Sequence, residues 1–220
     1  MVALMKIRLA AFITILLVAP IVTGQDNIEV CETNRNSPPA GVFSWSPDAK
    51  VKVYFQRGTF AQEQRAALLE AMDLWTKTAH QTAAGVTFTF EGEVDGSPGC
   101  RNCLIVSKQS VRKYNKYFAF FAPVQRTDDG GLITAWIVFD EATVSPQALQ
   151  LFMIHELGHG LGLGDCPSCK KRHTVMRSFR RINKAEGVIE PSGCDLDVVR
   201  QVYELRRRVA TNGDFDAARD

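Results

Sequence analysis

The 220-residue chain has almost no excess of charge of either sign: 26 Lys and Arg stand against 24 Asp and Glu, a formal net charge of +2. Two of the bases, Lys6 and Arg8, lie in the first 24 residues, which hold no acid, so the chain beyond them carries 24 of each and is neutral. Neutrality withholds the electrostatic support that nucleic-acid binding draws on. Internal repeats and low-complexity tracts are lacking, which removes solenoids and disordered arrays from consideration. No small-residue lipobox precedes Cys31, since Glu29 and Val30 occupy those places, which argues against lipidation there. Histidine is scarce, at four residues, so any close pair of them stands out.

What is present begins with a segment that reads as a signal peptide over residues 1–24. Lys6 and Arg8 form its positive start, Leu9 to Val22 its apolar run and Val22-Thr23-Gly24 a small-residue end, with cleavage expected before Gln25. The alternative is an uncleaved anchor, but Thr14 and Pro20 interrupt the run and it is short for a full span. The expectation is an extracytoplasmic protein, secreted or periplasmic, with no membrane contact after cleavage. A lead-in over 25–40, one domain over 41–208 and a C-terminal tail over 209–220 complete the organisation; the size is that of a single core. Six cysteines in an exported chain point to disulfides. Cys100 with Cys103 and Cys166 with Cys169 could close locally, leaving Cys31 for Cys194. A rival reading takes Cys166, Cys169 and His173 as ligands of a structural zinc.

The pattern along the chain is α+β. Val51, Val53 and Phe55 alternate with Lys52 and Tyr54 as in a strand. Thr59 with Gln62 reads as a helix-start box, ahead of Ala66, Leu69, Met72, Leu74 and Trp75 at helical spacing up to about Ala79. Val86 to Phe90, Leu104 to Val106, Tyr117 to Phe121 and Ile133 to Phe139 are further strands. Ser145-Pro146 caps a helix running to about Gly160, with Leu149, Met153 and Leu157 on its core stripe. A last helix is expected from Asp195 to about Arg208, with Val198, Val199 and Leu205 inward and Arg206 to Arg208 solvated.

The densest chemistry lies at His155 to Asp165, which spells H-E-x-x-H-x-x-G-x-x-D. Histidines four apart share one helix face, so both imidazoles can reach the same ion. Glu156 adjoins the first and can act as general base. Gly160 and Gly162 break the helix, and Gly162 can take the left-handed conformation that turns Asp165 back as a third ligand. The bland alternative, an accidental match on a buried helix, has against it the trailing glycine and a ligand-type residue at the last place.

The chain resembles the metzincin zinc endopeptidases, and among them bacterial matrixin-type proteins, over roughly residues 41–205. Besides the zinc string, Trp45 with Val51 to Phe55 looks like a matrixin opening strand, and Ala66 to Trp75 like its first long helix. Trp136 to Asp140 resembles the strand before the active helix, and Thr174-Val175-Met176 the Met-turn. The resemblance implies a twisted mixed sheet with a long first helix, an active-site helix and a small irregular C-terminal lobe bearing the Met-turn and a final helix. It further implies one catalytic Zn2+ on His155, His159 and Asp165, Glu156 as base toward a zinc-bound water, Met176 as floor, and polypeptide substrates held extended along the strand near Trp136. A monomer is expected.

Departures from the family pattern are plain. Asp stands where a third His is commoner, as in snapalysin-like metzincins. Only His80 and His173 remain for a second zinc that needs three His, and Ser178 stands where a tyrosine could switch onto the metal. No long propeptide lies between Gly24 and Val42, and Cys31 is a candidate masking thiol. Asp128-Asp129-Gly130-Gly131 reads as a Ca2+ loop of matrixin type or as a plain turn. Lys170-Lys171-Arg172 with Arg177, Arg180 and Arg181 could line one side of the cleft. Rival functions are an exported zinc-binding protein without turnover, which would not need Glu156, and a cell-wall amide hydrolase, which would not need a Met-turn.

Overall fold

In a computed structural model the described residues are 43–110, 118–166, 174–177 and 190–217, the last seven as backbone only. The signal segment, the lead-in, Cys31, Cys169, His173, Ser178, the Lys170 to Arg172 run, Arg180 and Arg181 lie outside them. The fold is a mixed α/β arrangement: a five-stranded, mostly parallel sheet with three helices among the described residues.

Strand β1 (Lys50–Gln56) buries Val51, Val53 and Phe55 completely while Lys52 points out. Around it the sheet is ordered β2-β1-β3-β5-β4, with β2 (Thr87–Val94), β3 (Cys103–Gln109) and β5 (Leu132–Asp140) parallel to it. β4 (Ala119–Arg126) runs antiparallel to β5 and is the last strand on that side among the described residues. The parallel steps need crossovers. Helix α1 (Gln62–Ala79) supplies the first, between β1 and β2. Its apolar residues Leu68, Ala71, Met72 and Trp75 are buried, as their helical spacing requires. The Trp75 Nε1–H donates to the Ile154 carbonyl at 2.7 Å, so α1 is bolted to helix α2 (Pro146–Gly160) by a satisfied buried indole. Trp75→Ala would remove both bolt and volume, at about 3–5 kcal/mol.

Three local expectations change. α1 starts after Ala61, whose N–H is taken by the Gln64 side chain at 3.1 Å, and not at Thr59. Phe60 is the cause: buried between Phe55 and Phe139, it holds the chain non-helical there. The last helix, α3 (Gly193–Ala217), runs past Arg208, because nothing in Thr211-Asn212 has the force of a proline to stop it. On α3 the inward residues are Val198, Val199 and Tyr203, whereas Leu205 is 62% exposed. Two positions beyond Tyr203 on a 3.6-residue helix, Leu205 is turned to the far side. Arg206 and Arg207 are ion-paired, to Asp129 and Asp48 respectively.

Candidate active site

Ser145 caps α2 as expected, its hydroxyl accepting from the Ala148 N–H with Pro146 in the first turn. The helix is buried almost all round. α1 covers one side, β4 and β5 another, and Val175 and Met176 close over the histidines. His155 and Glu156 are consequently buried, and His159 is half-buried. A Cβ on Gly158 would stand 2.6 Å from Met176 Sδ, so the methionine lies directly beneath the turn that joins the two histidines.

The helix ends as its glycines dictate. Gly162 has φ +91°, and Leu163 N–H closes back on the Gly158 carbonyl at 3.0 Å. The reversal carries Asp165 to the histidines: its Oδ1 lies 3.1 Å from His155 Nε2 and 3.7 Å from His159 Nε2. The imidazoles stand at 90° with centroids 4.9 Å apart. His155 Nδ1 lies 2.9 Å from the Val175 carbonyl and His159 Nδ1 2.9 Å from the Leu163 carbonyl. A carbonyl can only accept, so each Nδ1 carries a proton and each ring is fixed with its Nε2 turned toward Asp165.

The donor set fits a zinc ion. Bonds near 2.0–2.2 Å in a tetrahedron place ligand atoms about 3.4 Å apart, and the two measured separations bracket that value. His155, Glu156 and His159 also form a cluster with donor atoms within 4.8 Å of one another. Glu156 Oε2, however, is 3.9 Å from His159 Nε2. The Asp165 oxygen thus lies nearer to both imidazoles than Glu156 Oε2 lies to His159. Glu156 Oε2 is buried with no hydrogen-bond partner, the condition of a carboxylate turned toward something that the protein itself does not supply.

Burial pushes the Glu156 carboxyl up to about 7; His155 opposes the shift, Asp165 adds to it, and the Phe121 backbone amide on β4 lowers it. Burial likewise pulls His159 down to about 4, which keeps it neutral and fit to ligate. For His155 burial works against the charge, but the Asp165 hydrogen bond and the Glu156 charge outweigh it and its pKa is raised. Asp165 is lowered, chiefly by its hydrogen bond to His155.

Sequence reasoning missed Asp195. It is fully buried at the head of α3, where Ser192 and Asp195 cap each other reciprocally: the Ser192 N–H donates to Asp195 Oδ2 at 2.9 Å and the Asp195 N–H to Ser192 Oγ at 3.2 Å. The same carboxylate accepts the Thr174 hydroxyl and the Val175 N–H, fixing the turn that closes over His155. The signal was Ser192-x-x-Asp195, a capping box.

Other expectations resolve locally. Cys100 and Cys103 are disulfide-bonded, and Cys166 and Cys194 are oxidised too, so a zinc knuckle on a Cys166 thiolate is overturned. The Asp128 to Gly131 segment is the plain turn: Thr127 and Gly131 bond across it, and Asp129 is engaged by the Thr127 hydroxyl and by Arg206. An arginine on that carboxylate leaves no support for Ca2+. β5, with Trp136, is paired on both sides, to β3 and β4, so it has no edge to offer a peptide. On that side the edge left unpaired among the described residues belongs to β4, which packs on α2 through Phe121 against Gly160 and Phe118 stacked on Phe152.

No family profile and no curated protein sequence matches the chain. Solved structures do. The chain is similar to archaemetzincin from Methanopyrus kandleri, at 13% identity and TM-score 0.48, over 74% of this chain and 97% of that one. It is similar also to metalloproteinase-II from Bacteroides fragilis, at 10% identity and TM-score 0.46, over 74% of this chain and 55% of that one. The functional reading rests on the geometry of the chain's own residues.

Proposed function

We propose that this chain is an exported, zinc-dependent endopeptidase of the metzincin type, matrixin-like with an aspartate as third ligand. The observation that carries the reading is the convergence of two Nε2 atoms, on rings held through Nδ1, and the Asp165 carboxylate beside a buried, half-unpartnered Glu156. Oxidised cysteines support export, since disulfides persist outside the cytosol.

Zinc, when held by His155, His159 and Asp165, supplies Lewis acidity toward a carbonyl and toward water. The rest falls to the chain. Glu156, buried beside the two histidines with Oε2 unpartnered, takes a proton from the attacking water and hands it to the leaving amine. The Val175 and Leu163 carbonyls keep each imidazole in one tautomer throughout. The edge of β4 holds the polypeptide extended by strand addition beside Glu156. A zinc-binding protein without turnover has no use for a buried base whose free oxygen faces the metal ligands.

The test is zinc analysis joined to a cleavage map on a peptide library, with casein, gelatin and cell-wall substrates assayed with and without chelator. Internal peptide cuts that vanish with chelator are expected. Cell-wall turnover alone, or zinc without any turnover, would overturn the proposal.

A further inference from the structure

The backbone of β4 alternates in what it offers. The Asp140 N–H donates to the Phe118 carbonyl at 2.8 Å, and the register continues Ala119 with Phe139, Phe120 with Val138, Phe121 with Ile137, Ala122 with Trp136 and Pro123 with Ala135. Hydrogen-bonded and non-bonded pairs alternate in an antiparallel ladder. Phe118, Phe120 and Ala122 therefore spend their backbone groups on β5, while Ala119, Phe121 and Pro123 present theirs to the open edge. The Phe121 amide is indeed turned to Glu156, which puts the reacting end of the site beside that residue. Pro123, the next outward position, has no N–H. The sheet loses nothing by this, since the Pro123 pair makes no ladder bond. A register shift between Pro123 and Gln125 then ends the regular edge.

We infer that Pro123 makes the β4 edge acceptor-only on one side of the reacting centre, so that it recognises the N–H groups but not the carbonyls of a bound polypeptide there. The inference rests on the proposed peptidase reading of the same edge. In antiparallel addition the substrate residue facing Pro123 lies two positions N-terminal to the one facing Phe121. Its N–H meets the Pro123 carbonyl; its own carbonyl meets no donor. Recognition on the N-terminal side of the cut is correspondingly thin.

Pro123→Ala and Pro123→Val both restore an edge donor at a position where the sheet does not need one. Two peptides, identical but for N-terminal residues long enough to reach Pro123, are compared on wild type and both variants, with zinc content and thermal unfolding as controls of folding. Both variants should gain about threefold to tenfold in kcat/KM on the long peptide, the size of one net hydrogen bond, and nothing on the short one. The gain should appear in KM, and equally as tighter binding of the long peptide to each variant carrying Glu156→Gln than to Glu156→Gln alone. An ester at the residue facing Pro123, which removes its N–H, should weaken binding to all of them. Equal dependence on length in wild type and variants overturns the inference. If wild type cleaves no peptide while the variants still bind the long one more tightly, the edge inference stands and the peptidase reading falls.

Discussion

Asp195 and His155 are joined through one residue. Asp195 Oδ2 accepts the Val175 N–H at 3.1 Å, and the Val175 carbonyl lies 2.9 Å from His155 Nδ1. A carboxylate at the head of α3 thus acts, through the Val175 peptide, on which nitrogen of an α2 histidine faces the site. Asp195→Ala should lower zinc affinity about 10- to 100-fold, the usual effect of losing a partner behind a ligand. It should also cost about 1–3 kcal/mol of stability through the buried N–H left unpaired. Chelator competition and thermal unfolding of the metal-free protein separate the two. Lost stability with unchanged zinc affinity would reduce Asp195 to a structural cap.

Glu156→Gln keeps the shape of the side chain and removes the base. Zinc content and fold should be retained while kcat falls on the order of 10²- to 10⁴-fold. In the metal-free protein the Glu156 carboxyl should titrate near pH 7, not near 4.5, because burial disfavours its anion and the Asp165 charge adds to that. Asp165→Asn removes the added charge, so it should move the Glu156 midpoint downward. Carboxyl carbon resonances followed against pH give both numbers, and Glu156→Gln identifies the signal. A midpoint that rises in Asp165→Asn would contradict the electrostatics assigned here.

The strands and helices that position the site were legible because each carries a strong local period: Val51, Val53 and Phe55 alternate, and Leu68, Ala71, Met72 and Trp75 repeat helically. The H-E-x-x-H-x-x-G-x-x-D string was legible for a different reason, since His155, Glu156, His159 and Asp165 fall within one helix and one turn. What stayed hidden depends on contacts between distant segments. Phe60 shifts the start of α1 because Phe139, far along the chain, packs on it. Trp136 looked like a peptide-holding strand, but which strand keeps an open edge is decided by sheet order, and β4 lies outside β5. Leu205 was an error of phase: the buried stripe of α3 passes through Tyr203.

Gly162 should be irreplaceable for two independent reasons. Its φ of +91° is strained for any residue with a side chain, and a Cβ there would stand 2.8 Å from Val202 Cγ1 on α3. Gly162→Ala should destabilise the protein by about 1–3 kcal/mol from backbone strain and overpacking combined. Because the same turn delivers Asp165, zinc affinity should fall with it. Denaturant unfolding of the metal-free protein measures the first effect and chelator competition the second. A variant as stable as wild type would show that the helix can end without the left-handed turn.

The third ligand is the assignment most open to direct attack. Asp165 Oδ1 lies within 3.7 Å of both Nε2 atoms, and only the short Gly162 turn is needed to bring it there. His173 lies eight residues farther along, outside the described residues, and Cys166 is already oxidised. Asp165→Ala should therefore weaken zinc binding strongly, whereas His173→Ala should leave it near the wild-type value. Asp165→His should restore binding, since imidazole and carboxylate both serve zinc at about 2.0–2.2 Å. Zinc content after dialysis against a graded chelator ranks the three variants in one experiment. A His173→Ala protein that loses its zinc while Asp165→Ala keeps it would transfer the ligand role to His173 and undo the geometry argued for the turn.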